Sequence, residues 1–72
     1  MKNQKNELLI AARKQSGKTQ KQVAQEIGTT EVAYQRYERG TRTPSAPTGN
    51  SIARALGTTS EMLFGFKLTN VV

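Results

Sequence analysis

The sequence predicts an all-α domain built from five short helices. Three observations carry this expectation. Helix-starting hydroxyls and helix-ending glycines recur roughly every ten to fifteen residues along the 72-residue chain. The apolar residues between these marks fall at intervals of three and four, the period of one helix face. Gly17, Gly28, Gly40 and Pro44 sit at the boundaries, where a helix has to stop.

The first helix is expected over residues 6–16, with Leu9, Ala12 and Arg13 at helical spacing and Gly17 beyond its end. The second begins at Thr19. Thr19 and Gln22 fit a capping box, in which the hydroxyl takes a free backbone N–H and the amide reaches back to the cap. Val23, Ala24 and Ile27 form its inner stripe, and Gly28 supplies the left-handed turn that ends it. The third starts at the N-cap Thr30, buries Ala33, Tyr34 and Tyr37, and closes at Gly40. Residues 41–44 read as a turn, because Pro44 disfavours helix in the residue before it. The fourth covers residues 45–56. Pro47 is tolerable there only in the first turn, and Gly49 costs about 1 kcal/mol against Ala in a helix interior. Ile52, Ala55 and Leu56 supply its apolar side. The fifth runs over residues 59–64, with Leu63 and Phe64 facing inward and Thr58 and Glu61 placed for a second capping box. GTTE at 28–31 and GTTSE at 57–61 repeat a capping pattern rather than a domain. Residues 1–65 make one domain and residues 66–72 a tail, extended or disordered. The expected core is Val23, Ala24, Ile27, Tyr34, Ile52, Leu56 and Leu63.

Composition narrows the function. A chain this short buries only about 60% of its unfolded surface, which leaves no room for a large substrate pocket. It has no Cys and no His, the usual thiolate ligand and the usual general base. Its five acids are isolated glutamates, Glu7, Glu26, Glu31, Glu38 and Glu61, with no cluster for a hard metal. An enzyme, a cofactor and a small-molecule substrate are all disfavoured. The net charge of +6 favours a polyanion, most often nucleic acid, although surplus charge also serves solubility. The longest apolar run, residues 8–12, is too short for a membrane span or a signal-peptide core. A cytoplasmic location, in a bacterial host cell, is the expectation.

The second and third helices, TQKQVAQEIGTTEVAYQRYERG, are two short helices on a tight turn, with Ala24 and Gly28 at the two places where bulk is not expected to fit. That layout is a helix-turn-helix, whose second helix enters the major groove of DNA. These residues, with TPS at 43–45 and ARALGTTSEMLF at 53–64, resemble the Cro/C1-type helix-turn-helix family of phage repressors and Cro proteins over residues 9–65. The resemblance implies a compact five-helix lambda repressor-like fold. The whole chain further resembles a small Cro-like modulator of repression from a temperate phage lysogeny switch. It departs from the family pattern at Lys18, where an apolar residue usually seals the first helix on the second. It departs again at Gly49 and Asn50 in the fourth helix, and at Glu31 and Val32, where polar readers are common.

The resemblance places base reading on Thr30, Glu31, Val32, Gln35 and Arg36. A guanidinium at Arg36 can grip guanine O6 and N7 together, Val32 can touch a thymine methyl, and Glu31 can accept from cytosine N4. Glu31 equally suits a dipole partner in the first turn of a helix. Phosphate contacts fall to Gln20, Lys18, Lys21, Arg39, Thr41 and Arg42, with a solvated charged face as the plain alternative. Arg13 and Glu38 match positions that form an ion pair in the family, Arg13 as a phosphate ligand being the rival reading. Ala24 and Gly28 are structural, and a larger side chain at either is expected to unfold the motif.

Two functions follow. The leading one is a transcriptional regulator that binds double-stranded operator DNA as a homodimer. The alternative is an antirepressor that binds a cognate phage repressor through Glu31, Gln35, Arg36, Glu38, Arg39 and Arg42, a mixed-sign surface suited to another basic helix-turn-helix.

Overall fold

The computed structural model describes residues 5–65, which form five α-helices: α1 (Glu7–Gln15), α2 (Gln20–Ile27), α3 (Glu31–Arg39), α4 (Ala46–Leu56) and α5 (Ser60–Phe64). The expected tail lies outside the described residues. No helix among them is long and apolar enough to cross a membrane.

Each helix starts where a short polar side chain can replace the missing turn. Asn6, Thr19, Thr30, Ser45 and Thr59 are extended in backbone, and each accepts from the N–H three residues on. At α2 the cap is reciprocal, with Thr19 Oγ1 3.0 Å from the Gln22 N–H and Gln22 Oε1 2.8 Å from the Thr19 N–H. At α5 the cap is Thr59, which takes the Met62 N–H at 3.2 Å. This corrects the expected box between Thr58 and Glu61. The Thr58 N–H is drawn back to the Ala53 carbonyl at 2.9 Å to finish α4, so the next helix can open only one residue later.

The helices close around Leu9, Val23, Ala24, Tyr34, Tyr37, Ile52, Ala53, Leu56 and Leu63. α2 packs against α3 and α4, α5 against α4 and α1, and α1 also against α3. Ile27 and Phe64 are only partly buried against this core. In α4 the inward alanine, beside Ile52 and Leu56, is Ala53; Ala55 is half-buried. Pro47 sits in the first turn of α4, where its missing N–H has no helical partner to lose. Gly49 is buried within α4, and Asn50 accepts the Ser60 hydroxyl at 2.9 Å, so the polar departure in α4 is used to hold α5.

Asn6 makes a further tie that local pattern does not show. Its side-chain oxygen caps α1, its N–H reaches the Glu38 carbonyl at 2.9 Å, and its amide donates to the Leu63 carbonyl at 2.8 Å. One residue thereby joins the start of α1 to the ends of α3 and α5.

Ala24 and Gly28 are restricted for different reasons. Ala24 is 1% exposed, so bulk there strikes the core. Gly28 has φ +78°, yet nothing lies within 4 Å of the place a Cβ would take. The expectation that Gly28 excludes bulk is thus corrected, since its demand is on backbone conformation alone. Gly28→Ala should cost about 1–2 kcal/mol through left-handed strain, and Gly28→Asn less, because Asn tolerates that region. Ala24→Leu should cost about 3 kcal/mol or more through overpacking. Urea unfolding midpoints of the three variants check this ranking; Asn as damaging as Leu would restore a steric reading of Gly28.

Candidate nucleic-acid interface

The helix pair that could face DNA is held from within by α3. Tyr34 is fully buried and Tyr37 nearly so, their rings meeting edge to face at 6.4 Å between centroids. With that stripe inward, Glu31, Val32, Arg36 and Arg39 stand on the exposed side, and Gln35 is half-buried at its edge. Val32 is 57% exposed, so its methyls are open to contact from outside.

Behind α3 lies a buried polar knot. Arg13 Nε donates to Glu38 Oε2 at 2.6 Å, its Nη2 to Oε1 at 3.3 Å, and its Nη1 to the Lys18 carbonyl at 3.0 Å. Gln20 Nε2 donates to Glu38 Oε1 at 2.9 Å, and Gln20 Oε1 accepts from Gln35 at 3.3 Å. The Glu38 side chain is only 4% exposed. Burial by itself pushes its carboxyl up, but hydrogen bonds from Arg13 and Gln20 outweigh burial and hold it below the usual carboxylate range. The same pairing raises Arg13. The Tyr34 hydroxyl is buried within reach of both charges but meets no partner at hydrogen-bond geometry, and burial pushes the phenol far above its ordinary value.

The knot reassigns several residues named from sequence. Glu38 is buried and contributes nothing to an exposed mixed-sign surface. Arg13 turns one hydrogen from each of its three side-chain nitrogens inward, against the phosphate-ligand reading. Gln20 opens α2 as expected, but its amide bridges Glu38 and Gln35, leaving one N–H for a phosphate. Lys18 is drawn to the opposite side, its ammonium 2.8 Å from the Ala55 carbonyl and 2.9 Å from Glu26. There it ties α2 to α4 through its ammonium, a polar link where an apolar residue is usual in the family. Thr30 caps α3 through the Ala33 N–H at 3.1 Å, which leaves its hydroxyl proton for other use.

The residues left exposed are Lys21 beside Gln20, Glu31, Val32, Arg36 and Arg39 on α3, and Thr41 and Arg42 just beyond it. The Thr41 N–H and hydroxyl both return to the Arg36 carbonyl, which fixes the path on which Arg42 follows. Gln20 and Arg39 also line a shallow cleft of about 280 Å³ with Lys5 and Lys14. These two lysines escaped the sequence reading, because nothing local places the start and end of α1 beside the start of α2. Of the acids on α2 and α3, Glu26 and Glu38 are paired, so Glu31 is the one that stands exposed without an ion pair among the described residues. Such a face, basic with one apolar and one acidic contact at its leading edge, can hold a polyanion and read base edges.

Comparison with known proteins agrees with this geometry. The family model described as helix-turn-helix matches residues 9–63, from α1 into α5. No curated protein and no solved structure matches the chain.

The knot makes a pH prediction. A carboxyl held below its unfolded value stabilises the fold fully above about pH 4.5, and the gain is lost as pH falls through the folded value. Glu38→Gln should cost about 3 kcal/mol at neutral pH by leaving Arg13 unpaired, and should flatten the acid side of the stability curve. Urea titrations from pH 7 to pH 3 check both parts, and an unchanged acid slope would remove Glu38 from that role.

Proposed function

We propose that this chain, which belongs to the Cro/C1-type helix-turn-helix family of DNA-binding regulators, is a transcriptional regulator of a phage-type genetic switch in a bacterial cytoplasm. It reads operator DNA with the outer face of α3 and works as a two-fold dimer, with half-sites about 34 Å apart. The carrying observation is the exposed set Val32, Arg36, Arg39 and Arg42 on and just after α3, the arginines making no salt bridge among the described residues. Arg36 reads a guanine, Val32 meets a thymine methyl, and Lys21, Arg39, Thr41 and Arg42 hold phosphates.

The second reading is an antirepressor that covers or joins the DNA-reading helix of a cognate repressor. One observation favours it: Glu31 is exposed next to Val32, which repels phosphate but suits a basic partner with an apolar centre. With Glu38 buried, this surface reduces to Glu31, Gln35, Arg36, Arg39 and Arg42.

Fluorescence anisotropy on DNA from beside its own gene, against scrambled DNA at two salt concentrations, tests the main reading. Preference for the native duplex supports it; weak, salt-sensitive and sequence-blind binding, together with release of a repressor from its DNA, moves the activity to the second. Arg36→Ala should cost about 1–3 kcal/mol and relax preference at one base position. Arg42→Ala should weaken native and scrambled DNA alike and lower the salt slope by about one. Glu31→Lys should strengthen general DNA binding and weaken a repressor contact. If it changes neither, Glu31 is only a dipole partner for α3.

A further inference from the structure

The outward side of α1 carries a pattern that the DNA-reading face shares only at Lys14, which also lines the cleft beside Gln20 and Arg39. Glu7, Ala11 and Lys14 recur at helical spacing on the side away from the buried Leu9, and all three are exposed. The stripe is acidic at its start, small and apolar at its centre, and basic at its end. Beside it stand two large exposed apolar side chains, Leu8 at 61% and Met62 at 62%. They border a groove of about 620 Å³ between α1 and α5, whose further walls include Ala12, Gln15, Leu56 and Gly57, and among the described residues no charged one lines it.

We propose that this face seats a second copy of the chain, the two α1 helices crossing antiparallel at Ala11 on a two-fold axis. The inference rests on the dimeric reading above and gives it a surface. Antiparallel crossing brings Glu7 of each copy to Lys14 of the other and sets the two helix dipoles in opposition. The methyl of Ala11 lets the backbones come close. Projecting apolar groups and an apolar recess with small walls lie on one face, so that face is complementary to itself, as an isologous contact requires. Charge selects the occupant. Two chains of +6 repel each other over most contacts, and here they meet through an uncharged groove and a stripe that pairs with itself. Among the described residues no residue of α3 lines the groove, so the groove itself lies off the DNA-reading helix, while Lys14 also borders the cleft that holds Gln20 and Arg39.

The chain has no cysteine, so Ala11→Cys places a single thiol at the proposed axis, where a two-fold crossing brings the Cα atoms within disulfide reach. Under mild oxidation it should cross-link at least tenfold faster than Gln25→Cys, on the exposed side of α2. In sedimentation without DNA, Ala11→Glu should remain monomeric where the wild type dimerises, with its thermal midpoint little changed. Lys14→Glu should weaken the dimer about tenfold, and adding Glu7→Lys should restore it. Equal cross-linking rates, a wild type that stays monomeric, or an Ala11→Glu variant that dimerises normally would each overturn the proposal. Binding to a half-site duplex is measured in parallel. If wild type and Ala11→Glu both fail to bind it while the cross-link forms, the operator reading falls and this interface stands.

Discussion

The buried pairing of Arg13 with Glu38 is the constraint on which the arrangement of this domain rests. An ion pair taken out of water loses hydration, and the loss is offset only when nearly every donor and acceptor finds a partner. Here the guanidinium is held by both carboxylate oxygens and by the Lys18 carbonyl, and Gln20 adds a second donor to Glu38. Such a cluster tolerates little displacement. Sliding or rotating α3 would strand a charge among Leu9, Val23 and Tyr34. The pair therefore acts on register more than on net stability: α1 fixes α3 through it, and α2 fixes α3 through Gln20 and Gln35.

The composition of the exposed face follows from what the interior consumes. Glu38 is held by Arg13 and Glu26 by Lys18, so two of the chain's five acids are neutralised where they sit. Lys18 is likewise withdrawn to the seam between α2 and α4. What remains outside on α3 and just beyond it is Arg36, Arg39 and Arg42 against one carboxylate, Glu31. A long cation is a poor tool for reading bases when it already serves a neighbour, and among the described residues these arginines serve none through a salt bridge.

Much of this was legible in the sequence wherever the signal was local. Hydroxyl caps, terminal glycines and the three-four spacing within Val23, Ala24 and Ile27 and within Ala33, Tyr34 and Tyr37 depend on neighbours a few residues away, so the five helices could be placed. The approach of Arg13 to Glu38 came from resemblance, which carries tertiary information that periodicity lacks. The rest depended on the folded arrangement. Asn6 bonds to Leu63 across 57 positions, Lys18 reaches the Ala55 carbonyl, and Gln20 turns inward to Glu38. Each looks like an ordinary polar side chain until the helices are assembled. Gly28 shows the opposite error, a true restriction with the wrong cause, because sequence does not separate a crowded site from a left-handed one.

The central claim is that the outer face of α3 is the contact surface for DNA. The most direct measurement is a titration of isotopically labelled protein with a duplex from beside its own gene, following backbone amide shifts residue by residue. The account requires the largest changes at the start of α2, along Glu31, Val32, Gln35, Arg36 and Arg39, and at Thr41 and Arg42, with α5 and the Leu8 and Ala11 positions of α1 unmoved. Shifts centred on α1 and α5, or none at DNA concentrations that saturate other helix-turn-helix domains, would contradict it.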